Sequence, residues 1–122
     1  MVLALTVGLA GAIGAVARYL LDGAVQDRTS GLFPFGTLTV NAVGSLVLGC
    51  VTGLALRYAG TETTDTIIGT GFCGAFTTWS TASWETVRLA QEGAGQVALV
   101  YTVANIVISL LAGGLGLLVG LH

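Results

Sequence analysis

The chain has 122 residues, of which 54% are hydrophobic and only 8% charged; four arginines, no lysine and six acids leave a net charge of −2. A soluble domain carries about 25% charged residues, so a chain with a mean hydropathy of +0.91 cannot clothe a water-facing surface, and a lipid bilayer is its expected solvent. The lack of a basic patch excludes nucleic acid as a partner, and Cys50 and Cys73 lie in apolar stretches without metal-ligand spacing, where they read as small packing residues.

Four segments are apolar over the about 20 residues that a membrane-spanning helix requires. The first runs from Val2 to Leu21 and carries Arg18 near its end. No cationic stretch precedes it, so it reads as a retained helix and not as a cleaved leader. Arg18 can snorkel to an interface or draw anions into a vestibule, and both readings stay open. Glycines recur at Gly8, Gly11 and Gly14, the composition that lets helices approach closely in lipid.

The second segment runs from Gly36 to Leu56 without a charge. Thr37, Asn41 and Ser45 are four residues apart and share one helical face. Gly49 and Gly53 form a small-residue packing pair, as do Gly116 and Gly120 further on. The third segment runs from Thr66 to Trp84 and continues past Glu85 to Arg88 and Leu89. In it Gly69, Gly71 and Gly74 precede Thr77, Thr78, Ser80, Thr81 and Ser83. Glycine weakens a helix by about 1 kcal/mol relative to alanine, and serine and threonine compete for backbone hydrogen bonds. A break between Gly74 and Thr78 is therefore predicted, with freed carbonyls that could hold a cation such as sodium. Glu85, three residues before Arg88, reads as half of an intrahelical ion pair.

The fourth segment runs from Gly95 to Leu121, again uncharged, and Tyr101, Asn105 and Ser109 repeat the four-residue stripe. The connecting stretches are too short to fold alone. Residues 1–122 therefore read as a single four-helix transmembrane domain in a plasma membrane. The first and third loops hold Arg28 and Arg88, with Arg18 near them, against Arg57 on the other side. So small a bias does not impose one orientation, which leaves antiparallel pairing of two copies open.

Polar side chains in a membrane are costly and mark function. Interhelical hydrogen bonding accounts for one polar stripe; three stripes together point to a polar pathway. Hydroxyls and amides donate to anions, whereas a carboxylate in their place would repel them. A small proton-coupled multidrug exporter is the rival transporter, but it requires a membrane-embedded acid, and the first helix has none before Asp22. A pore-free helix-packing subunit leaves the stripes unexplained. No Ser/His/Asp set, carboxylate pair within one span or metal cluster suggests an enzyme.

These stripes lie in motifs that resemble the small fluoride channels called Fluc or CrcB. GAIGAVARY (11–19) is similar to that family's glycine-spaced segment ending in Arg-Tyr. FGTLTVNAVGSLVLG (35–49) matches its GTLxVNxxGSxxLG pattern, and GFCGAFTTWSTASWE (71–85) is close to GFCGxxTTFSTFSxE. Tyr101, Asn105 and Ser109 stand at the familiar places of the fourth helix. The resemblance implies an all-α antiparallel dual-topology dimer with a broken third helix, two fluoride pores and a central structural sodium ion. It implies backbone carbonyls of Gly74 and Thr77 on the sodium and Arg18 in the vestibule. It places Asn41, Ser80, Thr81, Tyr101, Asn105 and Ser109 along the pore. The family's two pore phenylalanines fall on Trp79 and Ala82. Tryptophan keeps a positive ring edge and alanine has none. One implied reading is therefore a homodimeric channel that lets cytoplasmic fluoride out passively. The other is a subunit that needs a related, phenylalanine-bearing partner.

Overall fold

The computed structural model describes residues 1–122 as helices joined by short turns. Helix α1 is Val2–Arg28, α2 is Phe35–Arg57 and α5 is Gly95–Leu121, and each is long and apolar enough to cross a membrane. Between α2 and α5 lie two shorter helices. Helix α3 covers 62–76 and joins an α-helical turn, Glu62–Asp65, a π-helical run, Thr66–Cys73, and a final turn, Gly74–Phe76. Helix α4 is Ser80–Gln91.

Helix α1 runs seven residues past the end of its apolar stretch. Hydropathy falls at Asp22, but helix formation does not, because Gln26 donates to Asp22 at 2.8 Å across one turn. The helix stops where Thr29 turns extended and Gly31 takes a φ of +96°. Pro34, which has no N–H to leave unpaired, then stands at the start of α2.

Backbones touch along two seams. A Cβ at Gly49 would overlap the Gly113 carbonyl, and one at Gly116 the Leu46 carbonyl, so α2 and α5 cross with their main chains in contact. Gly14 of α1 is pressed in the same way against the Phe72 carbonyl of α3, whereas Gly8 faces open space. Leu9 and Ile13 of α1, and Leu110, Leu111 and Leu118 of α5, are exposed outward. Such faces would be a liability in water and are ordinary against lipid. The chain is a multi-pass membrane protein.

Candidate functional site

The site begins where the helical ladder stops. The Thr77 N–H makes the last ladder bond, to the Cys73 carbonyl, and Thr77 itself is extended at ψ 157°. The next N–H, of Thr78, turns instead to Asn41 Oδ1 at 2.8 Å. Asn41 Nδ2 returns a bond to the Thr78 carbonyl at 3.0 Å. One amide thus clamps both polar groups of one backbone residue, as a neighbouring strand would. Gly44, one turn along α2, makes room: a Cβ there would overlap the Thr77 methyl. The Thr78 hydroxyl then caps α4 by accepting the Thr81 N–H at 3.1 Å. Residues 77–79 are held between two helices by α2.

The second proton of Asn41 Nδ2 goes to Asn105 Oδ1 at 3.0 Å, and Asn105 Nδ2 donates to the Tyr101 carbonyl at 3.1 Å. This buried junction joins α2, α5 and the 77–79 stretch. It forms the floor of a groove of about 330 Å³, lined by Asn41, Ser45, Thr77, Thr78, Trp79, Asn105 and Ser109 among others. None of the lining side chains is charged. Past Ser45 and Ser109 the depression continues along the same helix pair to Thr52, Gly113 and Gly114.

The polar lining differs in what is already bonded. Thr39, Thr86 and Thr102 turn their hydroxyls back to the carbonyl four residues earlier, the usual fate of such groups in apolar helices. The Ser45 and Ser109 hydroxyls make no hydrogen bond within the chain, and both residues are half-buried in the groove. Both donors of Asn41 are committed, and Asn105 spends an Nδ2 proton on the Tyr101 carbonyl.

One turn beyond Asn41, toward the first loop, lies a carboxylate. Glu85, only 7% exposed, accepts from the Thr37 hydroxyl at 2.5 Å and from the Tyr101 hydroxyl at 3.1 Å. The ion pair expected with Arg88 does not form. Arg88 Nε instead lies 4.0 Å from Glu92 and its guanidinium 5.0 Å from the Trp84 ring, both near the surface. The reason is rotational: Glu85 is on the face of α4 that packs on α5, where two hydroxyls satisfy it. Arg88 and Glu85 nonetheless both border an outer cavity of about 360 Å³ with Gln26, Thr29, Thr81 and Trp84.

A family profile described as CrcB-like protein, Camphor Resistance (CrcB), matches residues 5–117. The chain belongs to the CrcB family. Among its relatives is the Fluoride-specific ion channel FluC 1 of Leifsonia xyli subsp. xyli (strain CTCB07), 48% identical over 95% of this chain and 85% of that protein. Another is the Fluoride-specific ion channel FluC 2 of Cutibacterium acnes (strain DSM 16379 / KPA171202), 45% identical over 95% of both chains. A third is the Fluoride-specific ion channel FluC of Magnetococcus marinus (strain ATCC BAA-1437 / JCM 17883 / MC-1), 44% identical over 93% of this chain and 94% of the relative.

Of the positions carried over from the CrcB resemblance, Asn41, Thr77, Trp79, Asn105 and Ser109 meet in the groove. Thr81 borders the outer cavity, and Tyr101 is fully buried against Glu85. Ser80 is exposed beside the Thr78 hydroxyl, at 3.4 Å. Ala82, 4% exposed, sits in the α4–α5 core with Leu89, Ala98 and Tyr101. It borders a separate cavity of about 210 Å³ that also touches Trp79. Arg18 is half-buried on α1, makes no ion pair and borders none of these cavities. Gly74, in the last turn of α3, is exposed. Thr37, Thr78 and Glu85 were visible as polar residues, but only the structure makes them part of the site. Thr52 was missed, although it continues the stripe of Thr37, Asn41 and Ser45 at helical spacing.

Proposed function

We propose that this CrcB-family chain is a subunit of a fluoride-selective channel that lets cytoplasmic fluoride leave passively down its electrochemical gradient. It is a channel subunit and not an enzyme. The observation that carries the reading is the pair of unbonded hydroxyls, Ser45 and Ser109, facing an uncharged groove, with Ser109 one turn from Asn105. Fluoride is small and strongly hydrated, so a pore must replace its water with donors. Hydroxyls without internal partners can do so without breaking existing bonds. The names of the relatives, fluoride-specific ion channels, supply the ion. Fluoride crosses membranes as neutral HF from acidic surroundings and ionises inside, and a negative interior then drives the anion out.

The working unit in this reading is an antiparallel dimer with two pores, in which α3 and α4 cross as one interrupted span. Physical support comes from the outer side of the break. Non-helical backbone survives at membrane depth only when covered by protein or lining a cavity. Here Gly74, Trp79 and Ser80 are exposed, Trp79 to 65%. A second copy covers them. The Thr78 N–H goes to Asn41 and the Thr81 N–H to the Thr78 hydroxyl. The Gly74 and Thr77 carbonyls thus lack the donors a continuous helix would give them. Oxygen donors of this kind fit a sodium ion. Gly74 and Thr77 would hold it, and it would supply a fixed positive charge that offsets repulsion between anions.

Ala82 favours a second arrangement, in which a related, phenylalanine-bearing subunit is the partner. A phenylalanine at this position is what the family motif carries, and the 210 Å³ cavity lies where the alanine ends. Fluoride efflux from liposomes holding only the purified chain, with chloride as control, separates the readings. Selective fluoride efflux is expected for a self-sufficient dimer. Efflux only after co-reconstitution with a related subunit would establish the second arrangement, and none in either case would overturn the channel reading.

A further inference from the structure

Two carboxylates are tied to threonines of α2, one beyond the Asn41 end of the groove and one beside the depression that continues from Ser45 and Ser109 to Thr52. At one end Thr37 donates to Glu85; at the other Thr52 donates to Asp65 Oδ1 at 3.3 Å. Fifteen residues of α-helix separate the threonines, about 22 Å at 1.5 Å per residue, so the pair spans most of the hydrocarbon layer. Thr52 borders the same depression as Ser45 and Ser109.

Several observations hold Asp65 against Thr52. It precedes the π-helical run of α3, and the residue one turn on is Gly69, which is buried. A Cβ at Gly69 would lie 3.1 Å from the Leu48 methyl and 3.4 Å from Asp65 Oδ1, so the missing side chain leaves the carboxylate room to lie across α3 onto α2. It makes no ion pair. Arg57, the arginine at this end, stacks on the Tyr58 ring at 5.0 Å and makes no ion pair, and the other acid here, Glu62, is exposed.

Resting on the anion-channel reading, we propose that Asp65 is a positioning residue that guards the far mouth of the groove. It binds the Thr52 hydroxyl, the last donor on the stripe, and places an uncompensated negative charge where an anion enters or leaves. The mouth is thus restrained twice: its donor is occupied and its charge repels. The Glu85 end is built differently, with two hydroxyls on one buried carboxylate and Arg88 at the outer cavity.

The test is fluoride flux through reconstituted protein at low and high ionic strength. Asp65→Asn keeps an acceptor for Thr52 and removes the charge, and should raise flux roughly threefold or more at low salt, with the gain shrinking as salt screens the wild-type charge. Thr52→Val keeps the carboxylate and removes its partner, leaving the charge free at the mouth, and should lower flux several-fold. A tie that serves only to hold α3 on α2 would lower Thr52→Val flux equally at every salt concentration and give no gain in Asp65→Asn. That outcome, or an Asp65→Asn flux equal to wild type, overturns the proposal. If Asp65→Asn does not assemble, Thr52→Val decides across the same salt range: a flux deficit that shrinks as salt rises supports the proposal, and a deficit unchanged by salt overturns it. Absence of fluoride flux from the wild type, alone and with a related subunit, would remove the channel reading itself, an outcome distinct from any of these.

Discussion

Along one half of the α2–α5 pair the backbones touch through Gly49, Gly53, Gly116 and Gly120, and along the other half Asn41, Asn105, Thr37 and Tyr101 stand between them. The same two helices are joined by two kinds of adhesion. Lipid tails are as apolar as leucine, so burying apolar side chains gives helices little drive to associate. The glycine half answers with close van der Waals contact between main chains, which leaves only an open depression beside Gly49 and Gly113. The polar half answers with directed hydrogen bonds, which hold the helices at a set distance and leave a groove. A crossing with one tight end and one open end therefore makes a cavity without a large protein around it. What the comparison teaches is that the glycines are the fulcrum of the site although none touches its floor.

The most damaging change should be at the fulcrum. Gly116→Leu would drive a side chain into the Leu46 carbonyl and the Cys50 N–H of α2. The expected result is loss of assembled protein by size-exclusion chromatography, with Gly8→Leu, which meets nothing within 4 Å, behaving as wild type. A folded Gly116→Leu would mean that the tight half is dispensable.

Next comes the clamp. Asn41→Leu removes both bonds to Thr78 and the bond to Asn105. Each buried backbone group left unpaired costs about 1–3 kcal/mol, so thermal stability in detergent should fall by several degrees and flux by at least tenfold. Ser45 and Ser109 are untouched by this change, and a stable variant that still conducts would show that the break needs no support from α2.

The smallest effect should come from one groove donor. Ser109 has no internal partner, so Ser109→Ala should leave stability unchanged and lower fluoride flux about threefold to tenfold, the scale of one lost hydrogen bond to an ion. Equal losses of stability and flux would place Ser109 with the packing residues and not with the free donors.

Composition and periodicity were enough to find the apolar segments and the shared faces of Thr37, Asn41 and Ser45 and of Tyr101, Asn105 and Ser109. All of these are local: they depend on residues within a turn or two. Even there, hydropathy misplaced the end of α1, because solvation ends at Asp22 while the helix continues to Arg28.

What tertiary structure alone decided is which donors are taken. Asn41 reads as a pore donor in sequence, yet both its protons go to groups 37 and 64 residues away. Glu85 has an arginine three residues on, yet it bonds to Thr37, 48 residues earlier. Thr52 is tied to Asp65, and Ala82 packs on Tyr101 away from the groove. The physical reason is that periodicity fixes which residues share a face but not how each helix is rotated against its neighbours. Hydrogen bonds reach only about 3 Å, so that rotation settles which polar side chains are bonded inside the chain and which are left without a partner.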